Sequence, residues 1–199
     1  EKCLSGEINE SVESIVSDLS RNPLLLKLMS VCAIPDLQLE AAFRDIRYEK
    51  IGEKFDIDRN ITIIDESDIS SILTYDKQCF GFSRSKFMIP WLKVSDNKTF
   101  KYIQNGKLKG FAIVRKADIG YKICPLFADN ENIAKELYKA CLNSVVGEPL
   151  YLDIPTINQG ALNLIKEFDA KYIFECARMY YGKAPSIEID KVFGVTTFE

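Results

Sequence analysis

The sequence contains no histidine. That absence removes Ser-His-Asp and Cys-His catalysis, together with every metal site that needs imidazole. It has no basic tract either: 26 Lys and Arg against 29 Asp and Glu leave a net charge of −3, which argues against a nucleic-acid surface. The six cysteines (Cys3, Cys32, Cys79, Cys124, Cys141 and Cys176) form no C-x-x-C pair for zinc or redox work. They read as reduced, buried small hydrophobes of a cytoplasmic protein, and the sequons at Asn9, Asn60 and Asn97 as coincidence. No apolar run approaches the ~20 residues of a membrane span, and the richest, residues 24–34, contains Lys27. The first residue is Glu1 rather than Met, the start expected of a fragment or a trimmed product.

What is present is the pattern of an α/β chain. Ile8, Val12, Ile15 and Leu19 recur at helical spacing over residues 7–19. Asn22-Pro23 stops that helix, and residues 24–34 read as a buried strand. Pro35-Asp36 opens a helix over 37–46, and 48–57 is extended again. Residues 59–64 lead by a strand into a helix capped near Asp65 or Ser67 and ended by Gly81. The next helix, from Ser85, carries Phe87, Met88, Trp91 and Leu92, with a kink at Pro90. Asn105-Gly106, between strands at 100–104 and 107–115, marks a two-residue hairpin, because this pair accepts the positive φ angles of a type I′ turn. A third antiparallel strand covers 121–127. Then come an amphipathic helix at 132–142, a short buried strand at 150–154, a helix at 157–168, a strand at 171–178 and a last strand at 191–198. Ile34-Pro35 and Ala41 return as Ile154-Pro155 and Ala161, each 120 residues on, within a matching order of elements. The expectation is a partial unit at 1–59 and a complete one at 60–199.

The element order over 61–199, with the stretches YKICPLFADNENIAKELYKACL, LYLDIPTINQGALNLI, ARMYYG and FGVTTFE, resembles the GNAT acetyltransferase superfamily. Within it, the chain is similar to the divergent C-terminal domain of tandem-GNAT proteins. The resemblance implies a mixed, mostly antiparallel sheet flanked by helices, preceded by a partial second GNAT copy. It implies an acetyl-CoA-dependent N-acyltransferase acting on a small-molecule or peptide amine. The alternative it leaves is a non-catalytic GNAT-like domain used for binding or scaffolding. Packing against a preceding GNAT domain or a second chain goes with either, and nucleic acid, membrane and metal do not. Acetyl-CoA would lie in a V-shaped opening between strands 121–127 and 150–154, its pantetheine against the backbone at Cys124 and Leu126. Its pyrophosphate would sit on the helix start at Asn132, Ile133 and Ala134, where unpaired N–H groups and the helix dipole favour an anion.

The sequence departs from the superfamily at two positions that bear chemistry. The Arg/Gln-x-x-Gly-x-Gly/Ala phosphate loop is replaced by Asp129-Asn130-Glu131-Asn132-Ile133-Ala134, of which only Ala134 fits. The tyrosine proton donor falls on Ile165. Two roles stay open for Asp153, a lone carboxylate in an apolar strand: general base for the amine, or a strand-end carboxylate accepting backbone N–H bonds. Tyr180 is either a substitute proton donor or packing. Asn158 either binds the pantetheine or caps its helix.

Overall fold

The structure, a computed structural model, describes residues 39–181 and 184–196. The helix expected at 7–19 and the strand at 24–34 lie outside these residues, as do Cys3 and Cys32. Eight strands form one sheet: β1 (Leu39–Ile51), β2 (Ile61–Ile63), β3 (Lys98–Gln104), β4 (Lys107–Lys116), β5 (Tyr121–Ala128), β6 (Pro149–Pro155), β7 (Lys171–Tyr181) and β8 (Val192–Gly194). Their order is β2-β3-β4-β5-β6-β1-β7, with β8 added against β5. The β5–β6 pairing is parallel and the other strand pairings are antiparallel. Helices α1 (Ile69–Phe80) and α2 (Ser85–Leu92) cover one face, and α3 (Glu131–Asn143) and α4 (Gln159–Glu167) the other. Alternation along β4 feeds both layers: Phe111 and Ile113 enter the α1–α2 cluster, Ala112 and Val114 the α3–α4 cluster.

Local chemistry fixes most of these elements. Asp65 accepts from the Ser67 N–H and forms a capping box with Asp68 ahead of α1, which Gly81 ends at φ 88°. Asn130 caps α3 through the Ile133 N–H, two residues before the expected helix start, and Asn158 caps α4 through the Ala161 N–H. Asn105 and Gly106 both take positive φ, 54° and 71°, as the hairpin requires.

Two expectations need correction. Of the helix expected at 37–46, the described residues 39–46 are strand; β1 runs through 39–51, hydrogen-bonded to β6 and β7 at once. Six of its thirteen residues are charged, so no strand alternation shows, and pairing on both edges decides its form. Of the final strand expected at 191–198, the described part, 191–196, is strand only in the three residues of β8, which a 3₁₀ turn, Ile189–Lys191, precedes. The described part of the expected first unit contributes β1 to the same sheet as β2 to β8, between β6 and the edge strand β7.

Candidate active-site cleft and adjoining pocket

β5 and β6 pair only at Tyr121 with Leu150, Lys122 with Tyr151 and Ile123 with Leu152. Beyond Ile123 they separate, which is the opening that the resemblance implies. β8 lies inside it. Gly194 pairs with Leu126 and Val192 with Phe127 on the β5 side. On the β6 side the Val195 N–H donates to the Asp153 carbonyl at 2.8 Å. Gly194 is glycine because a Cβ there would press into Leu152 and stand 3.0 Å from the Leu126 Cβ. The Cys124 carbonyl accepts from Trp91 Nε1 at 2.9 Å, and burial pushes the Cys124 thiol up to about 11.

Asn158, 2% exposed, holds this arrangement. Its Oδ1 caps α4, while its Nδ2 donates toward the carbonyls of Ile189, Asp190 and Val192 at 2.9–3.3 Å. The backbone groups assigned by resemblance to pantetheine are bonded to the chain itself. With β8 in place, the residues of this cleft do not fit an acyl-CoA arm.

At the start of α3, Asn132 is exposed, and Ile133 and Ala134 are buried in the core. The Ile133 N–H is spent on the Asn130 side chain and the Ala134 N–H on the Asn130 carbonyl. Burial raises the Asp129 carboxyl, but hydrogen bonds from Lys109 and Tyr75 outweigh it and hold the group below its ordinary range. Ile165 is buried.

Asp153 is 0% exposed and has both oxygens in ion pairs. Arg47 donates to them at 2.6 and 2.8 Å, and Lys122 sits 2.6 Å from Oδ2. Arg47 and Lys122, which sequence reasoning missed, thus tie β1, β5 and β6 together. The signal was there in part: Lys122, like Asp153, is a lone charge in an apolar strand. A second buried pair joins Arg178 to Asp45 at 2.8 Å, and burial raises the Asp45 carboxyl against the pull of Arg178. Tyr180 does not meet Asp153. It pairs with Glu40, seven residues along β1 from the Arg47 that faces Asp153, roughly 23 Å at strand spacing.

Tyr180 instead lines a cavity of about 250 Å³ beside β8, with walls that include Phe43, Phe80, Phe82, Phe127 and Arg178. Four described cysteines are free, and Cys79 lies on this cavity, its thiol pushed up to about 12 by burial. Among the described residues, no cluster of side chains could hold a metal ion, and no helix is long and apolar enough to cross a membrane.

A mixed sheet that forks after one short parallel pairing, with a helix leading from the end of one prong, is the arrangement of the GNAT acyltransferase fold. Residues 72–194, more than half of the chain, match the family described as Acetyltransferase (GNAT) domain, and the chain belongs to it. A putative acetyltransferase from Pyrococcus horikoshii shares the fold at a TM-score of 0.68 and 21% identity, over 87% of this chain and 54% of that one. A GCN5-related N-acetyltransferase from Sphaerobacter thermophilus follows at 0.55 and 12%, over 77% and 54%. A holothin acyltransferase from a Pseudoalteromonas strain is 24% identical over 149 residues, 74% of this chain and 51% of that protein. The chain therefore spans about half the length of the curated relative it matches. Membership of this family agrees with the acyltransferase class of enzyme that the resemblance implies.

Proposed function

We propose that this chain is the acceptor-holding part of a longer N-acyltransferase whose acetyl-CoA is bound outside the β5–β6 fork. The observation that carries this reading is β8, which occupies the fork and uses the backbone of Leu126, Phe127 and Asp153. A tandem-GNAT arrangement accords with the half-length match to its relatives and with β1, which enters the sheet from the N-terminal side of the chain. In that arrangement this domain packs against the preceding copy, its own cofactor groove closed. The four free cysteines are in keeping with a cytoplasmic setting. A second reading has one observation in its favour: β8 is held to β5 through two residue pairs only, so on the β5 side an incoming acyl-CoA would have only these to displace.

Calorimetric titration of the 199-residue chain with acetyl-CoA, alongside a thermal melt, separates the two. Bound cofactor at 100 times its Kd would add about 2.7 kcal/mol of stability. We expect a flat titration and an unmoved melt, with acetyl-CoA binding and amine acetylation found only in the longer protein. Saturable binding to the 199-residue chain in the micromolar range would overturn the proposal.

A further inference from the structure

We propose that the cavity beside β8 binds a small, uncharged aromatic amine, and that this is the class of acceptor the enzyme uses. The inference rests on the acyltransferase reading above and supplies its substrate class. The cavity, at about 250 Å³, falls just under the roughly 300–1,000 Å³ of sites that take drug-sized molecules, which is room for one or two fused rings. Phe43, Phe80, Phe127 and Tyr180 give it aromatic walls from four different elements, surfaces that favour stacked or edge-on rings. Phe82 stands at the mouth, 56% exposed, its ring edge-on to Phe80 at 4.8 Å. An exposed aromatic lip over an aromatic chamber is an entrance for an apolar molecule.

A polar group inside the chamber points to the ligand's own polarity. Thr196 lines it, is 3% exposed, and its Oγ1 has no hydrogen-bond partner among the described residues. A buried hydroxyl left unpaired is unfavourable, and a ligand N–H would satisfy it. Charge then narrows the class. The one charged side chain on the described wall is Arg178, whose Nε and Nη2 both engage Asp45. That pairing balances its charge, and no carboxylate on the described wall would offset the water an ammonium loses. Nor does the wall carry a group placed to remove a proton: there is no histidine in the chain, and the Asp153 carboxylate is held in ion pairs. An arylamine needs no such group before it attacks, and the proton it sheds as the C–N bond forms and the C–S bond breaks goes to the departing CoA thiolate. The arylamine lone pair is delocalised into the ring, so the nitrogen is uncharged at neutral pH.

The test is a fluorescence titration of the 199-residue chain with 1-naphthylamine and, separately, 1-naphthylmethylamine, which carries the same rings on a cationic nitrogen. We expect saturable binding of the first, at least about tenfold tighter than the second. Phe82→Ser, at an exposed position, should leave the melting point unmoved and weaken 1-naphthylamine several-fold, and Thr196→Val should weaken it as well. No saturable binding, equal affinity for the two amines, or unchanged affinity in both variants overturns the proposal. No thioester is present, so this reads the cavity alone. Failure of the acyltransferase reading would show separately, as the absence of N-acetylated product when the longer protein is supplied with acetyl-CoA.

Discussion

Asp153 joins three strands through Arg47 and Lys122 without any solvent of its own. Removing its charge takes a buried carboxylate away from both cations, so Asp153→Asn should cost about 3–5 kcal/mol in urea unfolding. A change below ~1 kcal/mol would show that the pairs are solvated. Gly194 makes the opposite demand, for the absence of atoms. Gly194→Val would drive methyl groups into Leu152 and Leu126, at about 1–3 kcal/mol, and should expose the Val195 amide to hydrogen exchange; continued protection there would place β8 elsewhere. Asp65 sets a pH dependence. The Ser67 hydroxyl and N–H, then Lys101, hold its carboxyl at about 2 against an ordinary 3.8. A group depressed in this way stabilises the fold above pH 3.8, and the contribution is lost as the pH falls toward 2. Asp65→Asn should therefore make the acid loss of stability shallower, as read from urea midpoints across that range. Asp45 works with the reverse sign, since burial raises it and acidification relieves the cost of its charge.

Elements whose cause is local were legible in the sequence. The β3–β4 hairpin follows from Asn105-Gly106, and α3 and α4 from their apolar faces and the asparagines before them. Gly106→Val tests the hairpin cleanly, because nothing lies within 4 Å of the added Cβ and only the φ of 71° resists it. A loss of about 1–3 kcal/mol is expected from the melting midpoint. β1 and β8 were not legible, because their partners are distant. Nothing within residues 39–51 announces a central strand; β6 and β7, more than a hundred residues on, make it one. The three residues of β8 look like the end of an ordinary strand, and only the divergence of β5 from β6 gives them a place to insert. The candidate site divided the same way. Asp153 and Asn158 stood out by residue type, whereas Arg47 and Thr196 acquire meaning only from what the fold sets beside them.

For the molecule as a whole, the closed fork makes a prediction about salt. Asp129→Arg with Glu131→Gln would favour a pyrophosphate at α3 if the groove were open, and most strongly at low ionic strength. With β8 in place the double variant should gain no acetyl-CoA affinity at any salt concentration. It should also melt lower, because Lys109 and Tyr75 lose the carboxylate they bind. A salt-dependent gain in calorimetry would mean that the groove opens. The position of β1 bears on how the chain is made as well as on how it stands. Asp45 meets Arg178 across a separation of 133 residues. At roughly 5–20 residues per second, the ribosome completes β1 roughly 6.5 to 26 seconds before it has finished making β7. Until β6 is made both hydrogen-bonding edges of the strand are bare in a crowded solution, and the edge that β7 will take stays bare longer. Its six charges, which obscure it as a strand, are the kind of side chain that keeps an unpaired edge from recruiting a neighbour.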